Sequence, residues 1–137
     1  VLAALKAMKP LKGMQGSIYY YYENPQNAVN DWLVKEHYKR FNEPPDFFTC
    51  GGFAAASAVV SAITRAGTTD TEKLIATMEN MEFMTPKGKM KFRQEDHQAL
   101  QSMFAFKLDV KPDVAWAIPV LTKTLTLEET APPIMNK

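Results

Sequence analysis

PPDFFTCGGFAAASAVVSAITRAG occupies positions 44–67, and its reading decides the fold. From Phe53 to Ala66 nearly every residue is Ala, Val, Ile or Ser, and Gly67 follows. That composition predicts a helix apolar around most of its circumference, stopped by a left-handed glycine. Pro44 and Pro45 fix φ and disfavour the α region for the residue before each, so Asp46–Cys50 is expected to be an extended approach. A helix covered on most faces needs a sheet on one side and further structure on another. The flanking segments do not obviously supply both, so the chain reads as part of something larger.

Upstream, Leu2, Leu5 and Met8 have helical spacing, and Lys9-Pro10 closes that helix. The chain opens on Val1 with neither Met nor a basic leader, and this helix lacks an N-cap, so processing or truncation ahead of it is expected. Ser17–Tyr22 (SIYYYY) is β-branched and aromatic and predicts a strand, with Ile18, Tyr20 and Tyr22 on one face and Tyr19 and Tyr21 on the other. Four tyrosines in a row cannot all be core. Either the last of them are half-exposed packing, or Tyr21 and Tyr22 line a crevice at the carboxyl end of the strand. Asn24 can cap the next helix with Pro25 at its first position, and Val29, Leu33, His37 and Phe41 form a ladder that ends near Asn42. His37 lies on that apolar stripe and reads as a packed core-edge histidine.

Downstream, Thr69 and Glu72 match a capping box for a short helix with Leu74, Ile75 and Met78 inward. Thr85–Gly88 is a turn, followed by a short strand carrying Met90 and Phe92, and Glu95–Gln98 is a polar turn. Ser102–Leu108 alternates as a strand, Val114–Thr126 is β-rich with Pro119 marking an edge or break, and APPIMNK is an extended tail. The succession is α/β with an antiparallel addition at its C-terminal end.

A chain of 137 residues suffices for one domain with a core. Sixteen basic against fifteen acidic residues leave a net charge of +1, which gives no electrostatic case for nucleic acid or an anionic membrane. Ser57, Ser61 and Thr64 interrupt the apolar helix, so no membrane span is predicted. The single Cys50 excludes an internal disulfide framework.

Glu95, Asp96 and His97 are three ligand-type residues in a row, but neighbours in a turn point apart and no second cluster completes a shell, so no metal or other cofactor is expected. Cys50 with His37 or His97 could form a thiol and its base, yet nothing in the sequence holds either histidine nearby, and no catalytic residue is assigned. Gly51-Gly52 is only a pair, lacking the lysine or third glycine of a phosphate loop; its plain role is close approach of backbone or ligand.

Taken together, GMQGSIYYYY, then NPQNAVNDWLVKEHYKRFNEPPDFFTCGGFAAASAVVSAITRAGTTDTEKLIATMENMEF, then TPKGKMKFRQEDHQALQSMFAFKL resemble the C-terminal part of periplasmic substrate-binding proteins of the branched-chain amino acid type, in particular the subgroup for aromatic acids. The resemblance runs from about Leu11 to Leu108. It implies a partial type I periplasmic-binding fold, with helices on a mostly parallel sheet and C-terminal antiparallel strands, in a clamshell of two lobes joined by three crossovers. On it, residues 1–22 end a second-lobe helix and lead a strand to the hinge, 23–97 form a first-lobe helical segment, and 98–137 return to the second lobe.

It further implies a non-catalytic receptor for an ABC uptake transporter, located in the periplasm, that holds a small hydrophobic carboxylate between the lobes. Partners would be that ligand, the permease subunits, and the remainder of the chain or a second copy. The alternative is the same fold serving as the sensing domain of a signalling protein. Where the family carries Gly-Tyr-Asp-Ala this chain has Gly52-Phe53-Ala54-Ala55, a more apolar version. Positions facing the family's cleft map onto Thr49, Cys50 and Phe53, beside an apolar wall from Tyr21 and Tyr22.

Overall fold

The computed structural model describes residues 2–135. Around the decisive stretch, α3 spans Phe47–Ala66 and is longer than expected at its start. Asp46 is an N-cap whose carboxylate accepts from the Phe48 and Thr49 amides at 2.9 and 3.1 Å. The extended reading of Asp46–Cys50 is therefore corrected: the prolines end before the cap, and a capped first turn needs no help from the glycine pair that follows. At the other end Gly67 takes φ +63°, and its amide donates to Ile63 O.

One stripe of α3 is buried, Cys50, Ala54, Ala58 and Ala62, at the i, i+4 spacing of a single face. Phe48 (71% exposed), Val59 and Val60 lie on the surface of this chain, so burial on most faces is not seen among the described residues. By length and composition α3 could cross a membrane, contrary to the expectation from its serines, because its six added N-terminal residues lengthen the apolar run. Here its alanine stripe packs on a sheet, as a core helix does.

That sheet is β2 (Glu82–Thr85), β3 (Gly88–Phe92) and β4 (Ala99–Leu100), antiparallel throughout. With α3 and α4 (Thr71–Met78) it encloses a core of Ala54, Ala58, Ala62, Met81, Phe83 and Met90. The expected turn at Thr85–Gly88 is present, with Gly88 at φ +101°. The cap of α4 is Asp70, which accepts from Lys73 N at 3.1 Å, and not Thr69; a carboxylate one residue later is the better acceptor for the first turn.

A second core gathers Leu5, Tyr21, Phe106, Leu108, Ala117 and Ile118. It lies against α1 (Leu2–Ala7) and a sheet ordered β1 (Gln15–Ile18), β5 (Met103–Asp109), β6 (Ile118–Leu125). Gly16 faces Phe106, and a Cβ there would sit 3.1 Å from the ring, so the strands meet through glycine. β6 is an edge strand, which suits Pro119. The α/β class holds, but every strand pair among the described residues is antiparallel where a mostly parallel sheet was expected. Parallel pairing needs crossover helices between neighbouring strands, and here neighbours come from hairpins or from segments some ninety residues apart.

β1 ends at Ile18, so the strand expected through Tyr22 is four tyrosines shorter. The tyrosines then leave the sheet, and consecutive Tyr20 and Tyr21 are both buried, at 1% and 3% exposure, against different partners. The next helix, α2 (Ala28–Phe41), is capped by Asn27 and not Asn24, because Asn24 is turned back by its amide's bond to Tyr21 O. α2 ends at Asn42 as expected, and the structure adds that Asn42 closes it in the left-handed conformation. The tail gains a short α5 (Leu127–Thr130) with a Thr126–Glu129 capping box before running extended to Met135; Asn136 and Lys137 lie outside the described residues.

Three passes link the two cores: residues 19–27, the pair Gln101-Ser102, and the C-terminal segment. The last returns to the α3 side, where Thr130 Oγ1 donates to Gln101 O at 2.7 Å and Arg93 Nη1 donates to Pro132 O at 2.9 Å.

Candidate functional site

The first two passes meet beside the first turn of α3, where Tyr19 packs on Phe47 and Lys87 bridges the Tyr19 ring and Gln101. Tyr20 sends its hydroxyl to Asn30 Oδ1 at 2.7 Å, anchoring the first pass to α2. Tyr21 turns toward the other core, where its oxygen accepts from Trp116 Nε1 at 3.1 Å. Tyr22 is half-buried, packed between Tyr21 at 4.8 Å and Tyr38 at 6.4 Å between ring centroids. Tyr21, Tyr22, Trp116 and Ile118 line a cleft of about 340 Å³ with Lys111 and Asp113 at its rim.

Thr49 is half-buried and belongs to a different cleft, of about 260 Å³, shared with Leu2, His37 and Asp46. Its hydroxyl lies 3.4 Å from Asp46 Oδ1, so cap and hydroxyl share one acceptor. His37 is half-buried as expected, with Nδ1 donating to Glu43 O at 2.8 Å. Phe53 packs on Trp32, centroids 5.9 Å apart. Cys50 is fully buried. Burial pushes its thiol up to about 12, against the pull of nearby Lys87, so at neutral pH it is a protonated apolar group and not a nucleophile.

The five residues singled out from sequence thus occupy four places: Tyr21 with Tyr22, Thr49 apart from them, Cys50 in the interior, and Phe53 against Trp32. Between them lie residues that no motif or spacing had singled out. Tyr19 is half-buried, packs edge-on to Phe47 at 6.0 Å, and its hydroxyl comes within 3.8 Å of a Cβ built on Gly51. Lys87 places Nζ 3.6 Å from the centre of the Tyr19 ring and donates to Gln101 Oε1 at 3.1 Å. It is 5% exposed, and burial lowers its ammonium to about 8. The only sequence signal for Lys87 was its seat in a turn, which ordinarily means solvent.

The metal-type run is dispersed. Asp96 is engaged by Arg93, Nε to Oδ1 at 2.8 Å, while His97 Nε2 sits 3.4 Å from Glu79 Oε1. What the junction offers is aromatic surface, the bare backbone of Gly51-Gly52, exposed Phe48 and one buried cation.

Comparison with known proteins gives a consistent result. The sequence profile of the family described as periplasmic binding protein matches residues 1–113. A crystal structure of an ABC-type branched-chain amino acid transporter protein from Rhodopseudomonas palustris CGA009 is 63% identical over 99% of this chain, with TM-score 0.96. This chain spans 37% of that protein's length. A solute-binding protein from Rhodopseudomonas palustris BisB5, solved with 3,4-dihydroxybenzoic acid, is 22% identical over 90% of this chain and 34% of its own, with TM-score 0.76. A leucine-, isoleucine-, valine-, threonine- and alanine-binding protein from Brucella ovis is 20% identical over 90% of this chain and 33% of its own, with TM-score 0.74. These last two share the fold. No curated protein sequence matches the chain significantly.

Proposed function

Because the chain belongs to the periplasmic binding protein family, we propose that it is the C-terminal part of a solute-binding receptor for an ABC uptake transporter. The receptor works outside the cytoplasmic membrane and catalyses no reaction. Its ligand is a small hydrophobic carboxylate, an aromatic acid or a branched-chain amino acid. Residues 23–97 belong mainly to one lobe, 1–22 and 98–137 mainly to the other, and the passes at Tyr19–Asn27, Gln101-Ser102 and the C-terminal segment form the hinge. Ligand enters an open cleft, the lobes close over it, and the permease recognises the closed form.

The observation that supports this reading most is the 63% identity, over essentially the whole chain, to a transporter protein of that type. The protonated Cys50 and the engaged histidines support a binding site over a catalytic one. The test is calorimetric titration of the intact protein with benzoate, 3,4-dihydroxybenzoate, L-leucine and L-valine. Binding at about micromolar Kd or tighter to at least one is expected, with a thermal shift that grows with ligand concentration. No heat and no shift with any of them refutes the reading.

A further inference from the structure

Lys87 carries a charge that meets no opposite among the described residues. Its surroundings are neutral: the Tyr19 ring at 3.6 Å, Gln101 Oε1 at 3.1 Å, Met103 Sδ at 3.9 Å and the protonated Cys50 thiol. A ring face and an amide oxygen offset part of the desolvation of an ammonium, but a buried cation ordinarily requires an anion. The sulfur contact is the weakest of the three, and the proton it holds is the one open to a better acceptor.

The position matters as much as the charge. Tyr19 opens the first pass and Gln101 lies on the second, while Cys50 ends the first turn of α3, whose leading amides are already taken by the Asp46 carboxylate. The loop carrying Lys87 is fixed independently of any ligand. Thr85 Oγ1 accepts from Lys87 N at 3.2 Å and donates to Gly88 O at 2.8 Å, so the lysine is aimed by its own turn.

We propose that Lys87 is the residue that selects an anion at this junction, its ammonium meeting the carboxylate of the ligand when the two bodies close. This deepens the receptor reading above and rests on it. Closing removes water, which strengthens attraction between a fixed cation and an incoming carboxylate relative to the same pair in solvent. A neutral analogue of the same shape gains nothing from the charge and leaves it unpaired.

The experiment compares acid and amide pairs on the intact protein and on Lys87→Met: benzoate against benzamide, and L-leucine against L-leucinamide, by calorimetry at pH 7. Wild type is expected to prefer the acid of whichever pair binds by at least about thirtyfold, and Lys87→Met to narrow that preference at least about tenfold. Lys87→Gln is measured beside it, so that a folding failure of one variant leaves the other to decide, with circular dichroism and a single cooperative melt as the folding check. An unchanged preference in the folded variants overturns this inference and leaves the receptor reading standing. A variant that loses stability without ligand while keeping its preference places a carboxylate from another segment of the intact protein on Lys87, and also overturns it. Wild type that binds neither pair overturns this inference, and if it binds neither 3,4-dihydroxybenzoate nor L-valine as well, the receptor reading falls with it.

Discussion

Tyr20 and Asn30 share a fully buried hydrogen bond, hydroxyl to Oδ1 at 2.7 Å, on which the path of the first pass depends. Asn30 also donates Nδ2 to Tyr22 O at 2.8 Å and to Pro25 O at 3.1 Å, so one amide satisfies three groups on a segment without regular structure. Removing it strands them all. Asn30→Ala is expected to cost about 3 kcal/mol, against about 1–2 kcal/mol for Tyr20→Phe, which strands only Oδ1. Urea unfolding of the intact protein measures both. Equal effects would show that the amide's bonds to Tyr22 and Pro25 carry no weight.

Asp46 and Asp70 hold the starts of α3 and α4, so their removal should cost helix stability where removal of the neighbouring threonine does not. Asp46→Ala and Asp70→Ala are each expected to lose about 1 kcal/mol, Asp46→Asn only a few tenths, and Thr69→Ala close to nothing. Thermal melts of the four variants test this. A larger loss for Thr69→Ala than for Asp70→Ala would restore the capping box starting at Thr69.

Lys87 makes stability depend on pH in a direction that can be worked out. Its ammonium is lowered in the fold to about 8 from an ordinary lysine value of 10.5, so between those limits the unfolded chain holds a proton the folded chain has lost. Stability from this group therefore rises as pH climbs from about 8 to 10.5 and is least favourable below 8. The groups facing it oppose this: Cys50 and Tyr19, both raised by burial, keep protons in the fold that the unfolded chain releases at high pH. Comparison with Lys87→Met isolates the lysine. Without ligand, the variant should be the more stable at pH 7, by on the order of 2 kcal/mol, and the gap should close toward pH 10. A gap constant with pH would mean that the ammonium is solvated or paired in the intact protein.

Cys50 should be inert while the protein is folded. It is fully buried and its thiol is pushed up to about 12, so iodoacetamide at pH 8 should label it only in denaturant. Mass spectrometry of native and unfolded samples decides. Rapid native labelling would place the thiol in an open cleft.

The local signals were legible and the distant ones were not. The turn at Thr85–Gly88 with the short strand after it, the strand at Met103–Asp109, the edge at Pro119 and the stop at Asn42 all follow from residues within a few positions of each other. The start of α3 was missed because two prolines and two glycines outweighed the one aspartate that caps it. The tyrosine run broke its expected alternation because its partners, Asn30 on one side and Trp116 ninety-five positions away on the other, lie off the strand. Lys87 was invisible as a site residue for the same reason. A turn position suggests solvent, and its burial is created by Tyr19, Gln101 and Met103 arriving from two other segments.

The pairing of Gly16 with Phe106 also dictates a sequence of events in time. The β2–β3 hairpin closes over a handful of positions and can form as soon as it leaves the ribosome, whereas β1 must wait for β5 to be synthesised, some ninety peptide bonds later. During that interval Leu5, Ile18 and Tyr21 wait for Phe106, Leu108, Ala117 and Ile118, the partners they meet in this core. A nascent chain whose β2–β3 hairpin has emerged while β5 is still unmade therefore carries β1 without its partner strand, the state in which a chaperone has most to do.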